Sequence, residues 1–378
     1  MKPALLLSCL TAATLAAEPP TIPAVETAMK EAIGAKEIAG SVTLVANKEK
    51  TLHLAANGLA DIGDTTPMKE DAMFWIASMT KPVTGTVVMM MQEAGKLSVD
   101  DPVSKFIPEF KGLKDAAGHP VEVTIKQCLT HSAGLSEVSA EESGDVKTLA
   151  ELMPMIAAKP VQFAPGSKWQ YCQTGINTAA RVVEVVSGES LPDFLDKHLF
   201  QPLGMTDTTF YPTPDQVKRI ATSYARTGTG DLEKAGLLFL GNKPISSRDR
   251  YPRANGGLFS TAGDYVKFAR MILNGGELDG RRYLKEASVK QMTGVQSGDL
   301  VTGFTPGNGW GLGWCVVREP QGVSAALSPG SFGHGGAYGT QVWIDPVKER
   351  IYLLMVQRSN FPNSDASDVR KAFQEAAR

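Results

Sequence analysis

The sequence is poor in cysteine and histidine, and neither residue type occurs in a metal-binding pattern. Its 378 residues include 4 Cys and 5 His, with no CxxC pair and no HExxH motif. So few thiols exclude a disulfide scaffold. We expect buried or site-adjacent thiols, no metal and no cofactor. The cysteines are Cys9, Cys128, Cys172 and Cys315.

An excess of charge of one sign is also missing. Lys and Arg number 38 against 40 Asp and Glu, which leaves a net charge of −2. A chain so close to neutral is unsuited to strong, non-specific nucleic-acid binding, so we expect no nucleic-acid partner. A content of 43% hydrophobic and 21% charged residues excludes a disordered chain.

Long hydrophobic runs are absent, and the apolar stretch at the N-terminus is short. Lys2 is its only charge, residues 4–7 form the apolar run, and small residues cluster at 14–17. This pattern is typical of a signal peptide and is too short to span a bilayer. We predict a leader at 1–17 and a periplasmic or secreted protein of residues 18–378, with no stable membrane span. A buried first helix is the alternative.

Strand-like segments lie near both ends of the chain, and helical ones lie mostly between them. Two hairpins are predicted by apolar runs around short turns, at 41–46 with 51–56 and at 340–344 with 351–356. Helical spacing of apolar residues appears at 83–94, 175–186, 263–273 and 364–378. This order favours an α/β (α+β) fold, in which both chain ends build one antiparallel sheet flanked by helices.

A mostly helical second lobe follows from the same order of elements. We place the α/β lobe at about 22–80 and 290–378, and the helical lobe at about 81–289. No linker separates independent domains, so 18–378 is predicted to be a single catalytic domain.

The common hydrolase and nucleotide motifs are absent, since there is no GxSxG, no Walker loop and no GxGxxG after a strand. One SxxK occurs, Ser78-Met79-Thr80-Lys81. Pro82 and the apolar run after it place Ser78 at a helix N-terminus, where the dipole favours negative charge. Lys81 lies one turn later on the same face and can activate the serine as a nucleophile. A helix cap beside a solvated lysine is the alternative.

Two later segments hold groups suited to the same chemistry. Tyr171-Cys172-Gln173 precedes an apolar helix, and Tyr171 can act as an acid or base if a neighbouring ammonium lowers its pKa. The segment 332–339 is rich in glycine and leads into a strand, so a ligand can approach its backbone and an N–H can stabilise an oxyanion. A half-buried aromatic and a plain glycine turn are the respective alternatives.

In this order, the three segments resemble the serine β-lactamase and penicillin-binding-protein superfamily. The most similar groups are the class C β-lactamases, the family VIII carboxylesterases, the D-aminopeptidases and the D-alanyl-D-alanine carboxypeptidases. The resemblance runs from about Ile22 to the C-terminus. It includes the connecting segments 129–135, 163–167, 202–205 and 255–261.

The resemblance implies a role for each motif residue. Ser78 is the nucleophile, Lys81 and Tyr171 transfer its proton, and the backbone N–H groups of Ser78 and Ala337 bind the oxyanion. The substrate-binding residues it implies are Gln173, His334, Gly335 and Gly336. Gln173 replaces the usual Asn, and His334 replaces the usual Lys.

The residues and the resemblance together predict an exported serine hydrolase that forms an acyl-enzyme on Ser78. We favour carboxylic esters or small D-amino-acid amides and peptides as substrates, because His334 is not a fixed cation for a substrate carboxylate. A β-lactamase or penicillin-binding D,D-peptidase is the alternative, and a non-catalytic penicillin-sensing protein is a second one. The oligomeric state and the role of Cys172 do not follow from the sequence.

Overall fold

A computed structural model describes residues 20–238, 240, 243–303 and 305–378. The predicted leader and Cys9 lie outside these residues, so the signal peptide stays a prediction. Within the described ranges, none of the helices is both long enough and apolar enough to span a membrane.

One large antiparallel sheet dominates the fold. The strands in the described ranges are β1 (Gly40–Ala46), β2 (Thr51–Asp61), β3 (Thr66–Pro67), β4 (Phe74–Trp75), β5 (Tyr224–Arg226), β6 (Leu232–Lys234), β7 (Phe259–Ser260), β8 (Glu277–Leu278), β9 (Arg281–Arg282), β10 (Asn308–Trp310), β11 (Cys315–Val317), β12 (Phe332–Gly335), β13 (Gln341–Asp345) and β14 (Arg350–Met355). The sheet has eight strands in the order β10-β11-β12-β13-β14-β1-β2-β3. The shorter strands pair as β4 with β7, β5 with β6 and β8 with β9.

Both predicted hairpins are present, and an Asx turn closes each of them. Asn47 Oδ1 accepts from the backbone N–H of Lys50 at 2.7 Å between β1 and β2, and Asp345 Oδ1 accepts from that of Lys348 at 3.0 Å between β13 and β14. At the sheet centre β1 pairs with β14, so that Leu44 lies opposite Leu353. The sheet is therefore assembled from both chain ends, which confirms the predicted fold class.

Helices fill the middle of the chain and cover the sheet. They are α1 (Pro23–Gly34), α2 (Thr80–Glu93), α3 (Ile125–Leu129), α4 (Leu149–Ala157), α5 (Gln173–Ser187), α6 (Leu191–Leu195), α7 (Gln201–Leu203), α8 (Pro214–Val217), α9 (Ala262–Leu273), α10 (Glu286–Thr293) and α11 (Asp368–Ala376). The predicted helices at 83–94, 175–186 and 263–273 correspond to α2, α5 and α9. The C-terminal helix is shorter than predicted, because Ser367 caps it and a 3₁₀ turn, Ser364–Ala366, precedes it.

The sheet is covered by helices on both faces because its strands alternate. Val42 and Leu44 belong to the large core. Val45 points the other way, into a second core with Val25 of α1 and Phe373 of α11. Helix α9 packs on β1, β13 and β14, although the predicted division places it in the helical lobe. The lobe boundaries themselves stay a prediction.

A glycine sets how closely α2, which follows Ser78, approaches the sheet. Gly85 faces the loop between β10 and β11, where a Cβ would lie 2.3 Å from the carbonyl oxygen of Leu312. That oxygen is backbone and cannot rotate away, so only glycine fits without moving α2 or the loop.

We predict that Gly85→Ala destabilises the protein by about 1–3 kcal/mol, because the overlap outweighs the higher helix propensity of alanine. The measurement is a urea unfolding curve, with a lower midpoint at unchanged slope. Gly112→Ala is the matched control, since a Cβ at Gly112 meets nothing within 4 Å. Equal midpoints for the two variants would contradict the packing interpretation.

Candidate active site

All the predicted site residues except Lys81 and His334 border one cavity of about 250 Å³. Its lining comes from distant parts of the chain: Ala77, Ser78, Tyr171, Gln173, Leu238, Asn255, Gly256, Gly335, Gly336, Ala337, Ser364 and Asp365. A larger cavity of about 680 Å³ between α9, α10 and the sheet contains none of the predicted site residues. The fold thus brings all three sequence segments to the smaller cavity.

Ser78 lies in a strained turn directly before α2. It occupies a 3₁₀ turn, Ala77–Met79, in which Ala77 has a φ of +44°, a region that residues with a side chain enter at a cost. Thr80 stabilises the turn by donating from Oγ1 to the Ala77 carbonyl at 2.7 Å. The strained turn leaves Ser78 partly exposed at the cavity while its neighbours are buried.

Lys81 is completely buried, and its ammonium has three acceptors. Nζ donates to Ser78 Oγ at 2.9 Å, to Gln173 Oε1 at 2.9 Å and to the Asn255 carbonyl at 2.6 Å. Burial lowers the pKa of Lys81 to about 7, against the opposing effect of Glu137 and other negative groups. Near neutral pH the amine is therefore partly unprotonated and can accept a proton.

Tyr171 completes a hydrogen-bonded group around the serine. Its hydroxyl donates to Ser78 Oγ at 2.9 Å, and its ring centre lies 4.7 Å from Lys81 Nζ. The sequence made an acid-base role of Tyr171 conditional on an ammonium that lowers its pKa, and that condition is not met. Burial dominates and raises this pKa well above its usual range. Tyr171 is thus a neutral phenol that can relay a proton without ionising at rest.

Gln173 positions Lys81 and also borders the cavity. Its Oε1 accepts from Lys81 Nζ and, at 2.9 Å, from Asn255 Nδ2. Its backbone N–H donates to a carboxylate oxygen of Glu137 at 2.5 Å, at the start of α5. The Gln173 side chain, one methylene longer than the usual Asn, therefore positions Lys81. Glu137 fixes the start of α5, which carries Gln173.

The glycine segment reaches the cavity through a close backbone contact. A Cβ on Gly336 would lie 2.1 Å from Thr340 Oγ1 and 2.7 Å from the carbonyl oxygen of Ile76. Glycine at 336 thus lets the end of β12 approach the turn that holds Ser78. This approach brings Gly335, Gly336 and Ala337 to the cavity, where we expect the N–H groups of Ser78 and Ala337 to face an oxyanion.

His334 lies behind the site, and its side chain does not line the cavity. The ring is buried, donates from Nδ1 to the Gly335 carbonyl at 2.7 Å, and packs on Trp310 and Tyr171. Burial lowers the pKa of His334 to about 3. The prediction that His334 lines the substrate cleft is therefore corrected, because the ring faces the aromatic core. His334 is thus a neutral imidazole that packs against Tyr171.

Aromatic rings surround Tyr171 on its buried side. His131 lies 4.4 Å from the Tyr171 ring and Trp310 lies 5.9 Å from it, between ring centres. Trp310 belongs to the second core, with Val25 and Phe373. Trp314 is likewise buried in the large core, where it stacks on Phe268. This rigid packing fixes the direction of the Tyr171 hydroxyl.

The cysteines described by the structure are free and buried, as expected from the sequence. Cys172 lies between two site residues, yet its Sγ points to the Leu135 carbonyl at 3.4 Å. Burial raises the pKa of Cys172 to about 12, so the thiol is protonated at neutral pH.

Several residues at or near the cavity were missed as site residues: Glu137, Leu238, Asn255, Ser364 and Asp365. Asn255 begins the segment 255–261, which is part of the family resemblance, so its position near the site could have been predicted. The sequence did not indicate that its backbone carbonyl accepts a hydrogen bond from Lys81. The remaining four have no spacing that relates them to Ser78, since only the fold brings them close.

The chain is similar in sequence to a protein family and to several known proteins. A family model described as Beta-lactamase matches residues 25–377. The chain is 29% identical over 345 residues to the esterase EstB from Burkholderia gladioli, covering 83% of this chain and 85% of EstB. It is 32% identical over 295 residues to penicillin-binding protein 4 from Amycolatopsis lactamdurans, covering 77% of this chain and 72% of that protein.

A solved structure shows the same arrangement of elements. The fold is similar to that of EstCE1, described as a hydrolase with promiscuous acyltransferase activity, with a TM-score of 0.80 at 26% identity. The match covers 94% of this chain and 97% of EstCE1. The similarity thus extends over both chain ends and the middle of the chain.

We predict that the kcat/KM for a chromogenic ester rises with pH through an apparent pKa near 7, as Lys81 loses its proton. The sign follows because a base must be unprotonated to accept the proton of Ser78. Glu137→Gln removes a negative charge that raises the pKa of Lys81, so the rise should move to lower pH by roughly half a unit. The measurement is the pH profile of each variant.

Glu141→Gln is the matched control for this shift, since Glu141 is an exposed carboxylate in the segment that follows Glu137. Its profile should coincide with that of the wild type. A rise that occurs only near pH 10, or an unchanged midpoint in Glu137→Gln, would remove Lys81 from the role of base.

Proposed function

The chain belongs to the Beta-lactamase family, and its relatives in that family are serine hydrolases. We propose that it hydrolyses carboxylic esters through an acyl-enzyme on Ser78. One observation carries the proposal: Ser78 Oγ accepts hydrogen bonds of 2.9 Å from both Lys81 and Tyr171 beside a cavity. A nucleophile, a base of suitable pKa and a proton relay thus meet at one oxygen.

Acylation begins with Lys81 as a neutral amine. Lys81 Nζ takes the proton of Ser78, directly or through the Tyr171 hydroxyl, while Oγ forms a bond to the ester carbonyl carbon. The carbonyl oxygen becomes an oxyanion that the N–H groups of Ser78 and Ala337 stabilise. When the bond to the alcohol oxygen breaks, Tyr171 delivers a proton to that oxygen and is reprotonated by the Lys81 ammonium.

Deacylation uses the same groups in reverse. Water attacks the acyl carbon and gives its proton to Lys81, directly or through the Tyr171 hydroxyl, since the acylated Ser78 Oγ carries no proton. The bond between the acyl carbon and Ser78 Oγ then breaks, and Oγ regains a proton from Lys81. The products are a carboxylic acid and the starting enzyme.

The charge around the cavity favours esters over substrates that carry a carboxylate near the reacting carbonyl. The described lining contains no Lys, Arg or His side chain, and His334 is buried behind it with a pKa of about 3. Asp365 is the charged residue in the lining. An anionic β-lactam or a peptide ending in D-alanine would therefore meet a carboxylate instead of a cation.

Small D-amino-acid amides are the second candidate. Their α-ammonium group carries the charge that Asp365 would attract, whereas their amide bond is harder to cleave than an ester. Among the relatives, the one named an esterase supports the ester candidate.

We predict that 4-nitrophenyl butanoate is hydrolysed with a kcat/KM at least about 100-fold above that for a chromogenic cephalosporin, with D-alanine 4-nitroanilide between them. Ser78→Ala should lower ester turnover by roughly 10³-fold or more, since a nucleophile in a coupled group is lost. Ser246→Ala, at an exposed serine outside the cavity, is the control and should be fully active.

Two results would replace this proposal. Efficient cephalosporin hydrolysis would make the protein a β-lactamase. Stable acylation of Ser78 by penicillin, with one equivalent of product and no turnover of any substrate, would favour a penicillin-sensing protein.

We also propose that the protein is exported, supported by the leader pattern at 1–17. Expressed in a Gram-negative host, the full chain should appear in the periplasm or medium with a new N-terminus at Ala17 or Glu18, measured by N-terminal sequencing. A variant that begins after the leader should stay in the cytoplasm. A cell-retained protein that still begins at residue 1 would contradict export.

A further inference from the structure

Asp365 is held at the cavity by the turn that precedes α11. Asn363 Oδ1 accepts from the Asp365 N–H at 3.0 Å, and Arg370 donates to the Asp365 carbonyl. Gln341 of β13 donates to the neighbouring Ser364 carbonyl at 2.8 Å. The turn is therefore fixed to both the helix and the sheet, and so the carboxylate has a defined position.

The carboxylate lies directly over the glycine segment of β12. A Cβ on Gly335 would lie 1.8 Å from Asp365 Oδ1, so the carboxylate occupies the space that a side chain at residue 335 would fill. Gly335, Ala337 and Asp365 all border the cavity. A substrate held against Ala337 thus meets the Asp365 carboxylate on the same side of the site.

Nearby cations leave this carboxylate incompletely neutralised. Arg370 stacks at 4.0 Å over the ring of Trp343 and donates to the carbonyl of Asp365, rather than to its carboxylate. Lys81 Nζ is occupied by its three acceptors. Burial raises the pKa of Asp365, although both cations and hydrogen bonds from Gln341 and the Gly335 backbone act to lower it. The hydrogen bonds to the carboxylate thus come from neutral donors, while Arg370 donates to the backbone carbonyl.

We propose that Asp365 is a specificity-determining residue whose carboxylate binds a positively charged group of the substrate, on its acyl or its alcohol portion. This proposal rests on the proposed ester hydrolysis at Ser78 and names the substrate class of that site. The cavity of about 250 Å³ has room for roughly eight water molecules, so the charged group belongs to a small substrate.

The test compares esters that differ only in charge. For the acyl side, the substrates are 4-nitrophenyl esters of 4-(trimethylammonio)butanoic acid, of 5,5-dimethylhexanoic acid and of 4-sulfobutanoic acid, which have the same chain and a head group of similar shape. For the alcohol side, they are the butanoate esters of choline, of 3,3-dimethylbutanol and of 2-hydroxyethanesulfonate. The readout is the ratio of kcat/KM for charged and neutral esters within a series.

In the wild type, we expect the cationic ester to exceed the neutral one by at least about tenfold in one of the two series, and the sulfonate to be the poorest substrate. The series that shows the preference identifies which portion of the substrate lies at Asp365. In Asp365→Asn and Asp365→Ala, the ratio should fall to within about twofold of unity.

Asp368→Asn is the matched control. It removes an exposed carboxylate from the first turn of α11, outside the cavity, and should keep the wild-type ratio. A preference that is equally reduced in Asp368→Asn would reflect the overall field of the helix end and overturn the role of Asp365.

Failure of this proposal is distinguishable from failure of the proposed function. If the wild type hydrolyses neutral esters but ignores charge in both series, or if Asp365→Asn keeps the preference, Asp365 does not bind a cation. If the wild type hydrolyses none of the esters, the ester function itself is wrong and the role of Asp365 fails with it. The wild-type ratio decides even where a variant does not fold.

Discussion

The buried ammonium of Lys81 is the interaction on which the rest of the site depends. A charge removed from water is tolerated only where hydrogen bonds replace its hydration, and here three acceptors do so. They come from the turn before α2, the start of α5 and the segment before β7, so that one nitrogen ties together three distant parts of the chain. The same burial lowers the pKa of the amine to about 7, which suits Lys81 to the proposed role of base.

The surrounding features keep that arrangement rigid. Ala77 holds a φ of +44° so that Ser78 faces the cavity, and the packing of Tyr171 against His131 and Trp310 directs its hydroxyl at the serine. Gly336 allows the strand to approach the turn. Each feature restricts one group to a single position, which is the condition for proton transfer over a 2.9 Å hydrogen bond.

Electrostatics separate the catalytic part of the site from its substrate-binding part. Ser78, Lys81 and Tyr171 form a group that suits any acyl transfer, since it acts on the carbonyl alone. In the proposed function, the outer lining of the cavity selects the substrate. This lining contains the carboxylate of Asp365, whereas the imidazole of His334 is buried in the core. The proposed preference for neutral or cationic esters over anionic substrates therefore depends on the charge at that edge.

Local sequence patterns predict the fold class, both hairpins, three helices and the order of the three motifs, because each rests on local periodicity or on residues a few positions apart. The sequence also identified Ser78, Lys81, Tyr171 and the glycine segment as candidates. The pKa direction of Tyr171, the withdrawal of His334 and the positions of Asn255 and Asp365 were decided only by the tertiary structure. Burial and contacts between residues far apart in the sequence set these properties, and no pattern along the chain shows how deeply a side chain is buried or which distant group it meets.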